Sequence, residues 1–195
     1  SQPNAIPWSL YPQSRPSKRV FATLTSVHLE RLPIAGVYRA TPRRKAPRSY
    51  DWYRVDALGP ALPADWRPEI GSMHTVHRAE VTGLYIETGH RLITCVTGRL
   101  ALVVVDVRKG SATFSRWIPV DLEPVERPTV VIPPGTAWGY QGFSEVSVVV
   151  TLHADVPLGP QLDPTDADLQ ITWPAPAAAS GISLENALAR GDLPE

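Results

Sequence analysis

A single cysteine, Cys95, in 195 residues excludes an internal disulfide and any zinc site built on several thiolates. Long apolar runs are missing as well. The greasiest stretch, Leu100 to Val105, has the length of a strand, far from the roughly 18 residues that suggest a membrane-spanning helix. Charge of either sign is in balance, with 19 Lys and Arg against 19 Asp and Glu. Neither the basic stripe of a nucleic-acid binder nor a polybasic membrane anchor is therefore expected. The first residues, Ser1-Gln2-Pro3-Asn4, show no charged segment followed by an apolar one, so the expectation is a protein without a secretory signal that works in the cytoplasm. No repeat at a fixed period is visible.

What the chain does contain is a 43% hydrophobic fraction, enough for a core, and 21 prolines, which argue against a helical bundle. Pro3, Pro7, Pro12 and Pro16, with Trp8 and Tyr11 between them, predict an irregular arm over residues 1–25. A run of short strands follows. Val27 to Leu32, Ile34 to Ala40 and Tyr50 to Val55 alternate polar and apolar residues. Arg91 to Val96, then Thr97-Gly98, then Leu100 to Val107 reads as a hairpin with glycine at the turn. Further strands are expected at Thr113 to Trp117, Arg127 to Ile132, Glu145 to His153 and Leu169 to Trp173. Such spacing means an all-β jelly roll or barrel, placed at residues 26–175. Beyond it, residues 176–195 form an Ala/Pro-led tail with one short helix, for which Ser183 is the expected cap.

From Gly83 onward an ordered series of short motifs resembles the dTDP-4-keto-6-deoxyhexose (dTDP-4-dehydrorhamnose) 3,5-epimerase family. Gly98 to Trp117, reading G-R-L-A-L-V-V-V-D-V-R-K-G-S-A-T-F-S-R-W, is similar to the family's hairpin with its Asp-x-Arg and Ser-x-Thr-Phe-x-x-Trp. Ile132 to Ala137 resembles its I-P-x-G-x-A turn, Phe143-Ser144-Glu145 its Leu-Ser-Glu, and Asp166 to Pro174 its closing D-P-x-L-x-I-x-W-P. The resemblance covers about residues 26 to 190. It implies a cupin-like double-stranded β-helix, no cofactor, a small-molecule substrate, and a homodimer with exchanged N-terminal segments, which the arm and the aromatic Tyr50-Asp51-Trp52-Tyr53 stretch fit.

Residue by residue, the resemblance implies a divergent site. Tyr85 stands in place of the family's histidine base and Thr82 in place of its phosphate-binding arginine; Glu87 replaces a glutamine. Trp138 replaces a second histidine, with Tyr140 beside it, and no tyrosine acid occurs in Thr151 to Pro157. Asp166 matches the aspartate of the base dyad, Arg91 takes the place of a substrate-facing lysine, and Arg48 leads the strand before the barrel. The catalytic candidates are Tyr85, Asp166, Arg91 and His153; the substrate-binding candidates are Glu87, Trp138, Tyr140 and Arg48.

Each has a plainer reading. Tyr85 either meets substrate or only lines the barrel, and Trp138 either contacts the ligand or plugs the lumen. Asp166 either pairs with Tyr85 or caps the turn before the last strand. Arg91 either faces substrate or pairs with Glu87 across the rim. His153 either takes over acid–base work or is a satisfied structural histidine. His74-x-x-His77-x-x-Glu80 has metal-like spacing, but no helical signal aligns it, so no metal is expected; Cys95 reads as buried rather than reactive.

The family reaction needs a base near the working pH, and a tyrosine, with an ordinary pKa of about 10, is a poor one beside an aspartate. It remains a good hydrogen-bond donor. The favoured expectation is accordingly an isomerase or cyclase of a secondary metabolite, as in antibiotic biosynthesis, held in an aromatic-lined barrel. Two alternatives stay open: a true dTDP-4-keto-6-deoxyhexose epimerase with acid and base relocated to His153 and Glu87, and a non-catalytic binding subunit.

Overall fold

The computed structural model describes residues 27–42 and 58–195. Within them ten strands form two antiparallel sheets facing each other. The first sheet has six strands in the order β1-β2-β8-β5-β10-β3. Its members are β1 (Val27–Arg31), β2 (Tyr38–Pro42), β3 (Ile70–His77), β5 (Arg91–Thr97), β8 (Thr129–Ile132) and β10 (Val146–His153). The second has four strands in the order β4-β9-β6-β7. These are β4 (Val81–Ile86), β9 (Thr136–Gly142), β6 (Leu100–Asp106) and β7 (Trp117–Leu122). This is the expected cupin-like jelly roll, with one short helix, α1 (Leu184–Arg190), near the C-terminus. Among the described residues no helix is long and apolar enough to cross a membrane.

Period-two patterning sorts the side chains into three layers. Between the sheets lie Ile93, Cys95, Val130, Ile132 and Val149 from one and Leu100, Leu102, Val104, Trp138 and Tyr140 from the other. Behind the four-stranded sheet, Leu84, Ile86, Val103 and Val105 pack under Leu162, Leu169, Leu184 and Leu193 of the C-terminal segment. Behind the six-stranded sheet, Ala40, Leu92 and Val131 are covered by Leu58, Leu62 and Trp66. β6 is buried along its whole length because both of its faces are used.

The structure corrects three expectations. Arg91–Thr97 and Leu100–Asp106 are not a hairpin, since β5 pairs with β10 and β8 whereas β6 pairs with β7 and β9. Both strands are apolar on both faces, so each takes the middle of its own sheet. The Thr97-Gly98 turn, with Gly98 at φ +74°, carries the chain between sheets. Thr113 to Arg116 is a turn, and the strand begins at Trp117. Its loop is held by the Asp106 carboxylate, which accepts from Arg108 Nε at 2.8 Å, Ser111 Oγ at 2.6 Å and Thr113 Oγ1 at 2.5 Å. The Asp-x-Arg…Ser-x-Thr motif is therefore a loop staple. Leu169 to Trp173 forms no strand, because its apolar residues face the covering layer rather than a sheet edge. The arm expected over residues 1–25, the Tyr50–Val55 strand and Arg48 lie outside the described residues.

Candidate active site

Four strands and one loop bring the site together. Arg91, the first residue of β5, stands opposite Ile132 of β8 and His153 of β10. Cross-strand partners share a face, so Arg91 and His153 look into the lumen above Ile93 and Ile132. Facing them, Tyr85 of β4 pairs with Trp138 of β9. Glu87 follows β4 and is tied to the Pro133-Pro134-Gly135 turn by Glu87 N–H to Thr136 O and Gly135 N–H to Glu87 O, both 2.8 Å. The other edge of β4 is closed by residues 159–162, with Leu162 N–H donating to Leu84 O at 2.8 Å.

The centre of the site is a buried ion pair. Arg91 Nε donates to Glu87 Oε2 at 2.5 Å, and the residues are 4% and 1% exposed. Trp138 Nε1 donates to the same oxygen at 3.0 Å, and Gly89 N–H reaches Oε1 at 3.4 Å. The guanidinium carbon also lies 5.2 Å from the Trp138 ring centroid, a cation–π distance. Three donors thus converge on Glu87, two of them on Oε2, so the carboxylate anchors Arg91, and acting as a base would require it to part from that guanidinium. Arg91, by contrast, spends only Nε: among the described residues Nη1 and Nη2 have no hydrogen-bond partner.

An aromatic wall stands against this pair, with Tyr85 and Trp138 centroids 5.5 Å apart and Trp138 and Tyr140 6.0 Å apart. Burial, reinforced by the neighbouring Tyr85 and Glu80, pushes the Tyr140 phenol up to about 12, so it stays protonated at neutral pH. The Tyr85 hydroxyl has no partner among the described residues.

On the opposite wall, His153 Nδ1 lies 2.8 Å from Ala154 O, and Nε2 lies 3.5 Å from Ser72 Oγ of β3. With the proton on Nδ1, the ring donates to that carbonyl and presents Nε2 as an acceptor. Thr151 Oγ1, two residues back on the same face, is buried without a partner among the described residues. His74 is paired with Val149 across β3 and β10. Burial and the nearby Arg91 and His153 charges hold its imidazole below the ordinary value. Ser72 and Thr151 escaped the sequence reading and His74 entered it only for its metal-like spacing; strand register shows that the three share the lumen face.

Two expectations separate here. Asp166 does not reach Tyr85: its Oδ1 accepts from Asp168 N–H at 2.8 Å and its Oδ2 from Leu184 N–H at 2.5 Å. It caps its own turn and the start of α1, the plainer of its two readings. His74 and His77 lie on opposite faces of β3, and among the described residues no group of three or more His, Cys, Asp or Glu is placed to hold a metal.

A guanidinium with a free fork, an imidazole and a phenol around one apolar lumen can bind and polarise a carbonyl and move a proton beside it. Comparison with known proteins gives this frame a family. Residues 47–190 match the family model described as dTDP-4-dehydrorhamnose 3,5-epimerase. The dTDP-4-dehydrorhamnose 3-epimerase of Streptomyces niveus is 31% identical over 158 residues, 76% of this chain and 76% of that one. A 4-keto-6-deoxy sugar epimerase from the novobiocin biosynthetic gene cluster of Streptomyces spheroides superposes with a TM-score of 0.79 at 27% identity, covering 91% of this chain and 97% of that chain. A 3'-monoepimerase from Streptomyces bikiniensis, solved in complex with dTDP-quinovose, gives 0.76 at 26% identity over 84% and 91%. On sequence and on fold, this chain belongs to the dTDP-4-dehydrorhamnose 3,5-epimerase family.

Proposed function

We propose that the chain epimerises a nucleotide-linked 4-keto-6-deoxy sugar, with the ketone oxygen bound at Arg91 and the sugar ring lying along Tyr85, Trp138 and Tyr140. The observation that carries this is the buried Arg91, aimed by Glu87 and Trp138, whose two terminal nitrogens have no hydrogen-bond partner among the described residues. A fork of this kind stabilises the negative charge that grows on a ketone oxygen when the neighbouring carbon loses a proton. The relatives' names and their dTDP-sugar complex support the substrate class. A homodimer belongs to the same proposal: among the described residues β3 is the last strand of its sheet, and Met73 on it is 73% exposed.

The test is proton NMR of dTDP-4-keto-6-deoxyglucose with the protein in D2O. Loss of a C3 or C5 signal is expected. No exchange, with an active family epimerase working in the same tube, overturns the proposal.

The aromatic wall favours a second reading. With Thr82 in place of a phosphate-binding arginine and three aromatic rings lining the lumen, the barrel suits an isomerase or cyclase of an apolar secondary metabolite, working by positioning. Quenching of tryptophan fluorescence by apolar ketones but not by dTDP is the result that selects it.

A further inference from the structure

We propose that His153 and Tyr85 are the acid–base pair of this site, working from opposite walls: His153 removes a proton from the carbon beside the ketone, and Tyr85 returns one to its other face. This rests on the reading above and names the groups that carry out its chemistry.

The two side chains belong to different sheets and meet the same central residue. His153 stands beside Arg91 across the β10–β5 ladder. Arg91 lies on the face of Trp138, whose ring is 5.5 Å from that of Tyr85. A planar ketone whose oxygen meets the Arg91 fork therefore has an imidazole on one side and a phenol on the other. The remaining lumen groups do not serve. Glu87 is consumed by Arg91, Trp138 and Gly89. Asp166 is consumed by its turn and α1. His74, on the neighbouring strand, stands opposite Val149, four residues along the ladder from the His153–Ile70 pair. Ionisable groups near His153 include His74 from β3, Arg91 from β5 with Glu87 behind it, and Glu69, whose N–H donates to His153 O at 3.0 Å. The Ala154 carbonyl fixes His153 with Nε2 as the acceptor, which is the form a base requires.

The step balances within the site. His153 Nε2 takes the proton, and the C–H electron pair becomes the double bond of an enolate whose oxygen sits at the Arg91 terminal nitrogens. The Tyr85 hydroxyl then gives its proton to the same carbon from the opposite side. The inverted epimer leaves an imidazolium and a phenolate, which return to neutral by exchanging protons with water. One base facing one acid inverts one carbon.

The test separates exchange from inversion, using the full chain and dTDP-4-keto-6-deoxyglucose in D2O. The unaltered protein is expected to give deuterium incorporation and an inverted carbon at matched rates. His153→Asn is expected to lower both by on the order of 100-fold or more. Tyr85→Phe is expected to keep deuterium incorporation while losing inversion, a split that a merely structural role would not produce. His153→Gln provides a second test of the base if the asparagine variant does not fold, as read by circular dichroism. Undiminished exchange in a folded His153 variant, or normal inversion in Tyr85→Phe, overturns this pairing. An unaltered protein that exchanges nothing overturns the sugar-epimerase reading itself.

Discussion

Glu87 and Arg91 set the tone of the molecule at the scale of single residues, because a buried charge is tolerable only while its partner is present. Glu87→Ala is expected to destabilise the fold by about 3–5 kcal/mol in urea unfolding. A loss under about 1 kcal/mol would mean that the pair is hydrated and does not aim the guanidinium. His74 and His90 give a pH signature. Burial leads in lowering both, with Arg91 adding to it at His74 and Glu87 opposing it at His90. Their unfolded forms therefore take up protons at a pH where the folded forms do not, so stability falls as pH drops through the ordinary histidine value of about 6.5. Melting temperatures across pH 5 to 8 should show this decline, and His74→Asn with His90→Asn should flatten it; an unchanged slope would contradict the assignment. Tyr85, Arg91 and Trp138 were legible in the sequence because short motifs fix their strand positions. What Asp166 does was not, since a motif gives its place along the chain and not which N–H groups its oxygens meet.

Among the elements, the β6–β7 connection shows how a family motif serves folding rather than chemistry. Burial pushes the Asp106 carboxyl up, but hydrogen bonds from Arg108, Ser111 and Thr113 outweigh it and leave it below the ordinary carboxylate range. Asp106→Ala is expected to cost about 3 kcal/mol while leaving the proposed exchange rate of the folded protein unchanged. A fall in that rate at unchanged stability would place the loop in the site. β4 depends on backbone contact with β9. Gly83, at φ +107°, sits where an added Cβ would lie 2.5 Å from Trp138 O and 2.6 Å from Gly139 Cα. Gly83→Ala should therefore cost more than about 2 kcal/mol and displace Tyr85 from Trp138; a neutral substitution would contradict the close approach. Alternation in Val27–Arg31 and the β-branched runs at β8 and β10 made those strands readable. Edge strand β3, with Gly71, Met73, His74 and His77 mixed along it, carries no clean alternation, and pairing with β10 defines it. The supposed β5–β6 hairpin misled because a glycine turn between two apolar runs looks the same whether the strands pair or part.

The whole molecule is a lumen enclosed by two sheets, each covered from behind. The C-terminal segment supplies one cover: Leu184 is 4% exposed over Val103 and Val105, and Gln141 Nε2 donates to Ala175 O at 2.9 Å. Leu184→Ala should cost about 2–5 kcal/mol, read as a lower urea midpoint without change in the lumen. The jelly roll was readable from strand count and turn spacing, whereas the meeting of His153, Arg91 and Tyr85 was not, because it depends on which sheet each strand joins. On the proposed function, the reaction centre lies at the Arg91 fork between these two walls. A crystal structure of the complex with dTDP-quinovose tests it most directly. The sugar O4 should then lie within about 3 Å of an Arg91 terminal nitrogen, with the ring between His153 and Tyr85; a sugar with O4 turned from Arg91, or bound outside the lumen, would rule this placement out.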